Sequence, residues 1–173
     1  VTADDDILRA RGLIRVVHDH PEPGIAFQDI TPLLADARAL RACVEAMVAP
    51  FAGRFDVVAG LEARGFLLAG AAAVLTGSGL IPLRKAGRLP APAARADYVL
   101  EYGQASIEVS EDLGAGDRVL VVDDVLATGG TLAAAHRLVA ARGASVAGSA
   151  CLLELDGLGG RDVVPDVHTL IGV

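Results

Sequence analysis

Apolar residues along this chain follow two patterns, and their alternation sets the fold class. Behind Asp36, a residue type that caps helices, Leu40, Val44, Met47, Val48 and Phe51 recur at helical spacing. Elsewhere apolar residues come in short runs, at residues 55–61, 80–83, 118–122 and 146–153, of a length that suits buried strands. Between these runs lie helical stretches. Residues 66–75 are built of small side chains, and residues 131–141 turn Leu132, Ala135, Leu138 and Val139 inward before Gly143 closes the end. Strand and helix thus alternate through the middle of the chain. That order predicts an α/β fold, a mostly parallel twisted sheet flanked by helices.

The flanks are less regular. Residues 4–18 read as a short helix, and residues 18–24 (His-Asp-His-Pro-Glu-Pro-Gly) as a turn-rich break. Residues 86–97 are punctuated by basic residues and prolines and read as a mobile loop. Residues 98–100 and 106–109 suit an antiparallel ribbon around Gly103, residues 113–117 a turn, and residues 167–171 a last strand.

Composition narrows the classes. A chain of 173 residues with 53 % hydrophobic content fits one packed globule. A net charge of −7 argues against nucleic-acid binding driven by phosphate neutralisation. Residues 65–83 carry no charge, but Thr76-Gly77-Ser78-Gly79 and Pro82 interrupt them, so a buried helix, a turn and a buried strand are expected rather than a membrane span. Asp4-Asp5-Asp6 near the start argues against a signal peptide. Cys43 and Cys151 lack metal or redox spacing and read as reduced core thiols of a cytoplasmic protein. His18 and His20, beside prolines, read as turn residues rather than metal ligands.

The chemistry gathers in residues 119–131, VLVVDDVLATGGT. An apolar strand runs into two carboxylates, Asp123 and Asp124, which can accept hydrogen bonds from sugar hydroxyls. Ala127, Thr128, Gly129, Gly130 and Thr131 then lead into a helix. Their backbone N–H groups can close on a phosphate, whose charge a helix N-terminus favours. The turns at residues 62–65 and 84–87 also follow apolar strands. Ligands of parallel sheets sit at the carboxyl ends of strands, so all three turns are expected to meet at one crevice. Lys85, the only lysine, falls in one of them.

Residues 119–131 resemble the phosphoribosyl-pyrophosphate loop of the type I phosphoribosyltransferases. Four more segments follow that family in order. Residues 23–33 (PGIAFQDITPL) are similar to its N-terminal hood, and residues 60–66 (GLEARGF) to its pyrophosphate loop. Residues 82–90 (PLRKAGRLP) with 98–103 (YVLEYG) resemble its flexible loop, and residues 154–161 (ELDGLGGR) its C-terminal segment. Together they resemble the adenine-using branch. Arg88 stands where lysine is common, and Gln28 where arginine or another polar residue is common.

The resemblance implies a hood at residues 1–34 and a core at residues 35–173, within one compact domain overall. It implies transfer of 5-phosphoribosyl from phosphoribosyl pyrophosphate to N9 of adenine, giving AMP and pyrophosphate, by a cytoplasmic homodimer with no nucleic-acid or membrane partner. Asp123, Asp124 and residues 127–131 would hold the sugar and 5′-phosphate. Glu62, Ala63, Arg64, Arg84 and Lys85 would hold the pyrophosphate. Ala26, Phe27, Gln28 and Leu126 would read the base. Glu101 would act as acid or base, with Tyr102 covering the reacting atoms. Mg²⁺ is expected, held mainly by substrate oxygens and water with no direct protein ligand set.

Each residue also has a plainer reading: surface acids at a strand end, a capped helix start, core packing for Phe27, a solvent-facing glutamate at Glu101. Two rival functions are also weighed. Relatives that use 6-oxopurines read the 6-oxygen with a lysine, and the single lysine here lies in the pyrophosphate region. A non-catalytic regulator on the same fold would carry a DNA-binding segment or a basic face, and neither is evident.

Overall fold

The computed structural model describes residues 2–100 and 103–173, so Glu101 and Tyr102 lie outside the described residues. The chain divides into two compact units, residues 1–46 and 47–173.

In the first unit, helix α1 (Ala3–Gly12) starts with a capping box: the Asp5 N–H donates to Thr2 Oγ1, and the Thr2 N–H to Asp5 Oδ2. Asp4, Asp5 and Asp6 fill its first turn, and Arg9 and Arg11 its last, as the helix dipole favours. The helix is shorter than the predicted residues 4–18. After Gly12 the chain becomes strand β1 (Arg15–His18), paired antiparallel with β2 (Ala26–Asp29). The β-branched pair Val16-Val17 and the cross-strand partners in β2 overcome the helical reading. Between these strands the Gly24 N–H donates to Asp19 Oδ1 at 2.8 Å, and Asp19 takes a left-handed φ of 56°. After the short α2 (Thr31–Ala35), Asp36 caps α3 (Ala37–Val48) as expected. Its Oδ1 accepts from the N–H groups of Arg38 and Ala39. Arg9 pairs with Asp36, and Arg38 with Asp6, which joins α1 to the start of α3.

The second unit is built on a seven-stranded sheet of order β5-β6-β4-β3-β7-β8-β9. Strands β3 (Val57–Leu61), β4 (Gly79–Lys85), β7 (Arg118–Leu126), β8 (Ser145–Glu154) and β9 (Val167–Gly172) pair in parallel, as their apolar runs predicted. Helices α4 (Gly65–Thr76), α5 (Gly130–Ala141) and the short α6 (Gly160–Val163) link them. The core joins Ala59, Leu61, Leu83, Val119, Val121, Leu132, Leu138, Val139 and Cys151. Cys43 and Cys151 are both free and buried. Among the described residues no helix is long and apolar enough to cross a membrane.

Three sequence expectations change here. First, α4 is buried on one face only. Leu68, Ala69, Ala72 and Ala73 face inward, while Leu67 is 57 % and Val74 86 % exposed. A single sheet face can cover only one side of a helix that is apolar all round. Second, residues 94–97 are strand rather than loop. Strand β5 (Ala94–Leu100) pairs antiparallel with β6 (Gly103–Val109) from Ala94↔Val109 onward, with Ala96 inward between exposed Arg95 and Asp97. The period-2 alternation there outweighs the nearby prolines. Third, β7 does not end at its acids. It pairs with β8 through Asp123↔Cys151 to Leu126↔Glu154, whereas its pairing with β3 stops at Gly60↔Val122. The acids therefore stay in the ladder on one side and are released on the other.

That release depends on two glycines. A Cβ on Gly60 would stand 2.7 Å from Ala69 Cβ, and one on Gly65 would stand 2.9 Å from Asp123 Oδ1. Gly60→Ala should therefore cost about 1–3 kcal/mol of stability through overpacking, read as a lowered midpoint of thermal unfolding. Gly12→Ala, at a helix end with nothing within 4 Å of the added methyl, should leave that midpoint unchanged or raise it.

Candidate active site

The turns after β3, β4 and β7 lie at the carboxyl ends of neighbouring parallel strands, and their side chains touch. The turn after β3 holds a cis peptide between Glu62 and Ala63. Its hub is Glu62, whose side chain is only 8 % exposed. Glu62 Oε2 accepts from Arg84 Nε at 3.0 Å and from the Lys85 N–H at 2.8 Å, and Arg88 Nη1 lies 3.4 Å from Oε1. The Arg84 guanidinium also sits over the Phe66 ring at 5.8 Å. One buried carboxylate thus fixes the strand end that carries Lys85, whose side chain remains exposed. Burial raises the Glu62 pKa, but the Lys85 N–H and the Arg84 and Arg88 charges outweigh it and hold the carboxyl below the ordinary glutamate range.

Arg64 reaches the other way, and its Nη2 lies 2.5 Å from Asp124 Oδ2. Asp123 turns back on the chain, its Oδ1 accepting from the Asp124 N–H at 2.8 Å. Loss of water around Asp123 pushes its carboxyl well above the ordinary aspartate range, and the adjacent Asp124 charge pushes it further. The two adjacent acids are therefore unlike: Asp124 is ion-paired, and burial raises the pKa of Asp123.

Beyond the acids, Asp123, Leu126, Ala127, Thr128, Gly129 and Thr131 line a cavity of ≈ 120 Å³. Helix α5 begins at Gly130, after Gly129 at φ 80°, so the unpaired N–H groups of its first turn lie at this loop. Leu126 is buried, and the Leu155 N–H donates to its carbonyl. Val99 and Tyr98 of β5 also approach: a Cβ on Gly130 would meet Val99 O at 3.4 Å and Tyr98 Cδ2 at 3.9 Å. The strand leading to Glu101 thus runs beside the 127–131 loop.

Sequence reading missed the support behind that loop. A Cβ on Gly160 would stand 2.4 Å from Ala127 O, so the start of α6 packs directly on the loop backbone. Arg161 holds α6 there. It donates to both Glu154 oxygens at 2.7 Å, to Thr169 Oγ1 at 2.8 Å and to Val167 O at 2.9 Å. The signal was the Gly-Gly-Arg triplet at 159–161 behind Glu154. Arg88 was likewise noted only as a substitution.

In the first unit, Ala26, Phe27 and Gln28 lie on β2, opposite His18, Val17 and Val16. Phe27 meets the edge of His20 at 5.1 Å, and Gln28 Nε2 donates to Ala26 O at 3.4 Å. A larger cavity of ≈ 490 Å³, lined by Phe51, Arg54, His136 and Ser149 among others, lies at the amino-terminal half of β8.

The Glu62 hub makes stability depend on pH. A carboxyl whose folded pKa is lowered adds stability above its unfolded pKa, and that stability is lost as pH falls through the folded pKa. Glu62→Gln should therefore unfold at lower urea than wild type at neutral pH, and the two midpoints should converge in acid. A gap that persists unchanged in acid would remove the carboxylate charge as its source.

Residues 29–167 match the family model described as phosphoribosyl transferase domain. The adenine phosphoribosyltransferase of Renibacterium salmoninarum is 58 % identical over 153 residues, which cover 88 % of this chain and 84 % of that protein. Among solved structures, the adenine phosphoribosyltransferase of Rhodothermus marinus is similar with a TM-score of 0.93 at 44 % identity, covering 98 % of this chain and 99 % of the other. The adenine phosphoribosyltransferase of Saccharomyces cerevisiae, complexed with adenine and D-2,5-dideoxy-2,5-imino-altritol 1,6-bisphosphate, is similar with a TM-score of 0.90 at 33 % identity, covering 96 % and 99 %. With the three turns joined at the carboxyl ends of β3, β4 and β7, these likenesses place the chain in the adenine phosphoribosyltransferase family, on the type I phosphoribosyltransferase fold.

Proposed function

We propose that this protein transfers the 5-phosphoribosyl group of phosphoribosyl pyrophosphate to N9 of adenine, releasing AMP and pyrophosphate in purine salvage. The observation that supports this most directly is the contact of Arg64 with Asp124. It joins a cationic turn to a pair of sugar-binding acids beside a phosphate-sized cavity.

The 5′-phosphate is assigned to Ala127, Thr128, Gly129, Gly130 and Thr131, where the N-terminus of α5 favours its charge. Asp123 and Asp124 accept from the ribose hydroxyls and stabilise positive charge on the sugar as the bond to the leaving group breaks. Ala63, Arg64, Arg84 and Lys85 hold the diphosphate, on the turns that Glu62 fixes. Ala26, Phe27, Gln28 and Leu126 are assigned to adenine. As the C1′–O bond breaks, the electron pair leaves with pyrophosphate. N9 bonds to C1′, and its proton passes to Glu101, with Tyr102 shielding the centre from water.

A magnesium ion fits this site if the donor supplies most of its ligands. Among the described residues no three His, Cys, Asp or Glu side chains gather as a metal site, and a hard cation takes phosphate and hydroxyl oxygens readily. Such an ion would neutralise charge on the diphosphate. The protein is further assigned to the cytoplasm, with residues 1–34 as hood and 35–173 as core, and to a homodimer. Exposed Leu67, Val74 and Leu75, on one side of α4, support the last assignment.

Purified protein with magnesium and the phosphoribosyl donor should convert adenine to AMP and leave hypoxanthine and guanine unchanged. Equal use of hypoxanthine, followed chromatographically, would favour the 6-oxopurine rival. Glu101→Ala should lower turnover by about 100-fold or more while donor affinity stays within a few-fold. Unimpaired turnover in that variant would take Glu101 out of the proton transfer.

A further inference from the structure

Arg64 and Asp124 bind each other, yet the function proposed above gives each a different part of the donor. Their contact is 2.5 Å, with the Asp124 side chain 8 % exposed and that of Arg64 33 % exposed. Arg64 immediately precedes α4, and Asp124 lies in β7, so the pair bridges the turn after β3 and the neighbouring strand β7. The next residue, Gly65, packs so tightly on Asp123 that not even a Cβ would fit. The Arg64 backbone is therefore pinned, and its guanidinium leaves Asp124 only by rotation of the side chain.

This geometry makes ligands unequal. Taking the cation from a buried ion pair leaves an uncompensated carboxylate, which is costly. Free pyrophosphate would draw Arg64 away and offer Asp124 nothing in return. The intact donor would draw Arg64 to its diphosphate and present sugar hydroxyls to Asp124 in the same event. We propose that the Arg64–Asp124 pair is a specificity device, selecting ligands that carry a sugar diol and a diphosphate together and disfavouring free pyrophosphate. Asp124 then has two tasks, binding the sugar and restraining Arg64. This inference rests on the function proposed above.

The test is a double-mutant cycle read by calorimetric titration with pyrophosphate and with phosphoribosyl pyrophosphate, each with magnesium. Asp124→Asn keeps the side-chain volume, and Asp124→Ala serves as a second variant free of residual hydrogen bonding to Arg64. Both should bind pyrophosphate roughly tenfold more tightly than wild type, and both should bind the donor more weakly. In an Arg64→Ala background, Asp124→Asn should change pyrophosphate affinity by less than about twofold. An equal gain in both backgrounds would reflect only the loss of a negative charge and would overturn the pairing role, as would no gain in either. Failure of wild type to bind the donor would overturn the function itself, and the role of the pair with it.

Discussion

The architecture of this protein turns on how closely α4 can approach the strands that precede and flank it. Helix α4 begins four residues after β3 ends and packs back over it. The approach is possible because Gly60 leaves room for Ala69, and Gly65 leaves room for the carboxylate and backbone of Asp123. The ladder between β3 and β7 stops at Val122, so the next two residues of β7 face the start of a helix rather than another strand. Any side chain larger than hydrogen at residue 65 would push α4 away from β7. The contact between Arg64 and Asp124 would then be lost.

The same crowding organises the charge. The chain carries a net charge of −7, yet it is expected to bind a strongly anionic donor. Local arrangement resolves this. Buried Glu62 gathers Arg84, Arg88 and the Lys85 backbone around itself, so cationic groups are oriented before any ligand arrives. Burial and the neighbouring Asp124 charge push the Asp123 carboxyl well above the ordinary aspartate range. Asp124 pairs with Arg64. Two adjacent carboxylates thus differ in their surroundings: Asp124 faces a guanidinium, and Asp123 lines the cavity beside the 127–131 loop.

Behind the expected phosphate loop lies a second brace. Gly160 rests on Ala127, and the Arg161 fork ties α6 to Glu154, Val167 and Thr169 on the last two strands. The loop is therefore supported by the sheet edge, through bidentate geometry that lysine cannot reproduce. The 127–131 segment is held from the α5 side by helix geometry and from the α6 side by packing.

Periodicity and motif spacing placed five parallel strands, the helices between them and the three turns that meet at the strand ends. They did so because apolar runs and glycine-rich turns are local signals, readable without knowing their neighbours. What they misplaced required a partner. Strand β1 exists because β2 lies opposite, β5 reaches back to Ala94 because Val109 pairs with it, and β7 runs on to Leu126 because β8 continues beside it. The site divides the same way. The acids, glycines and lone lysine were visible as residue types at telling positions. That Arg64 faces Asp124, that Glu62 binds Arg84 and Arg88, and that Gly160 seats on Ala127 arises only when strands distant in sequence come side by side. A chain carries its chemistry in residue order, but pairings across tens of residues are set by packing.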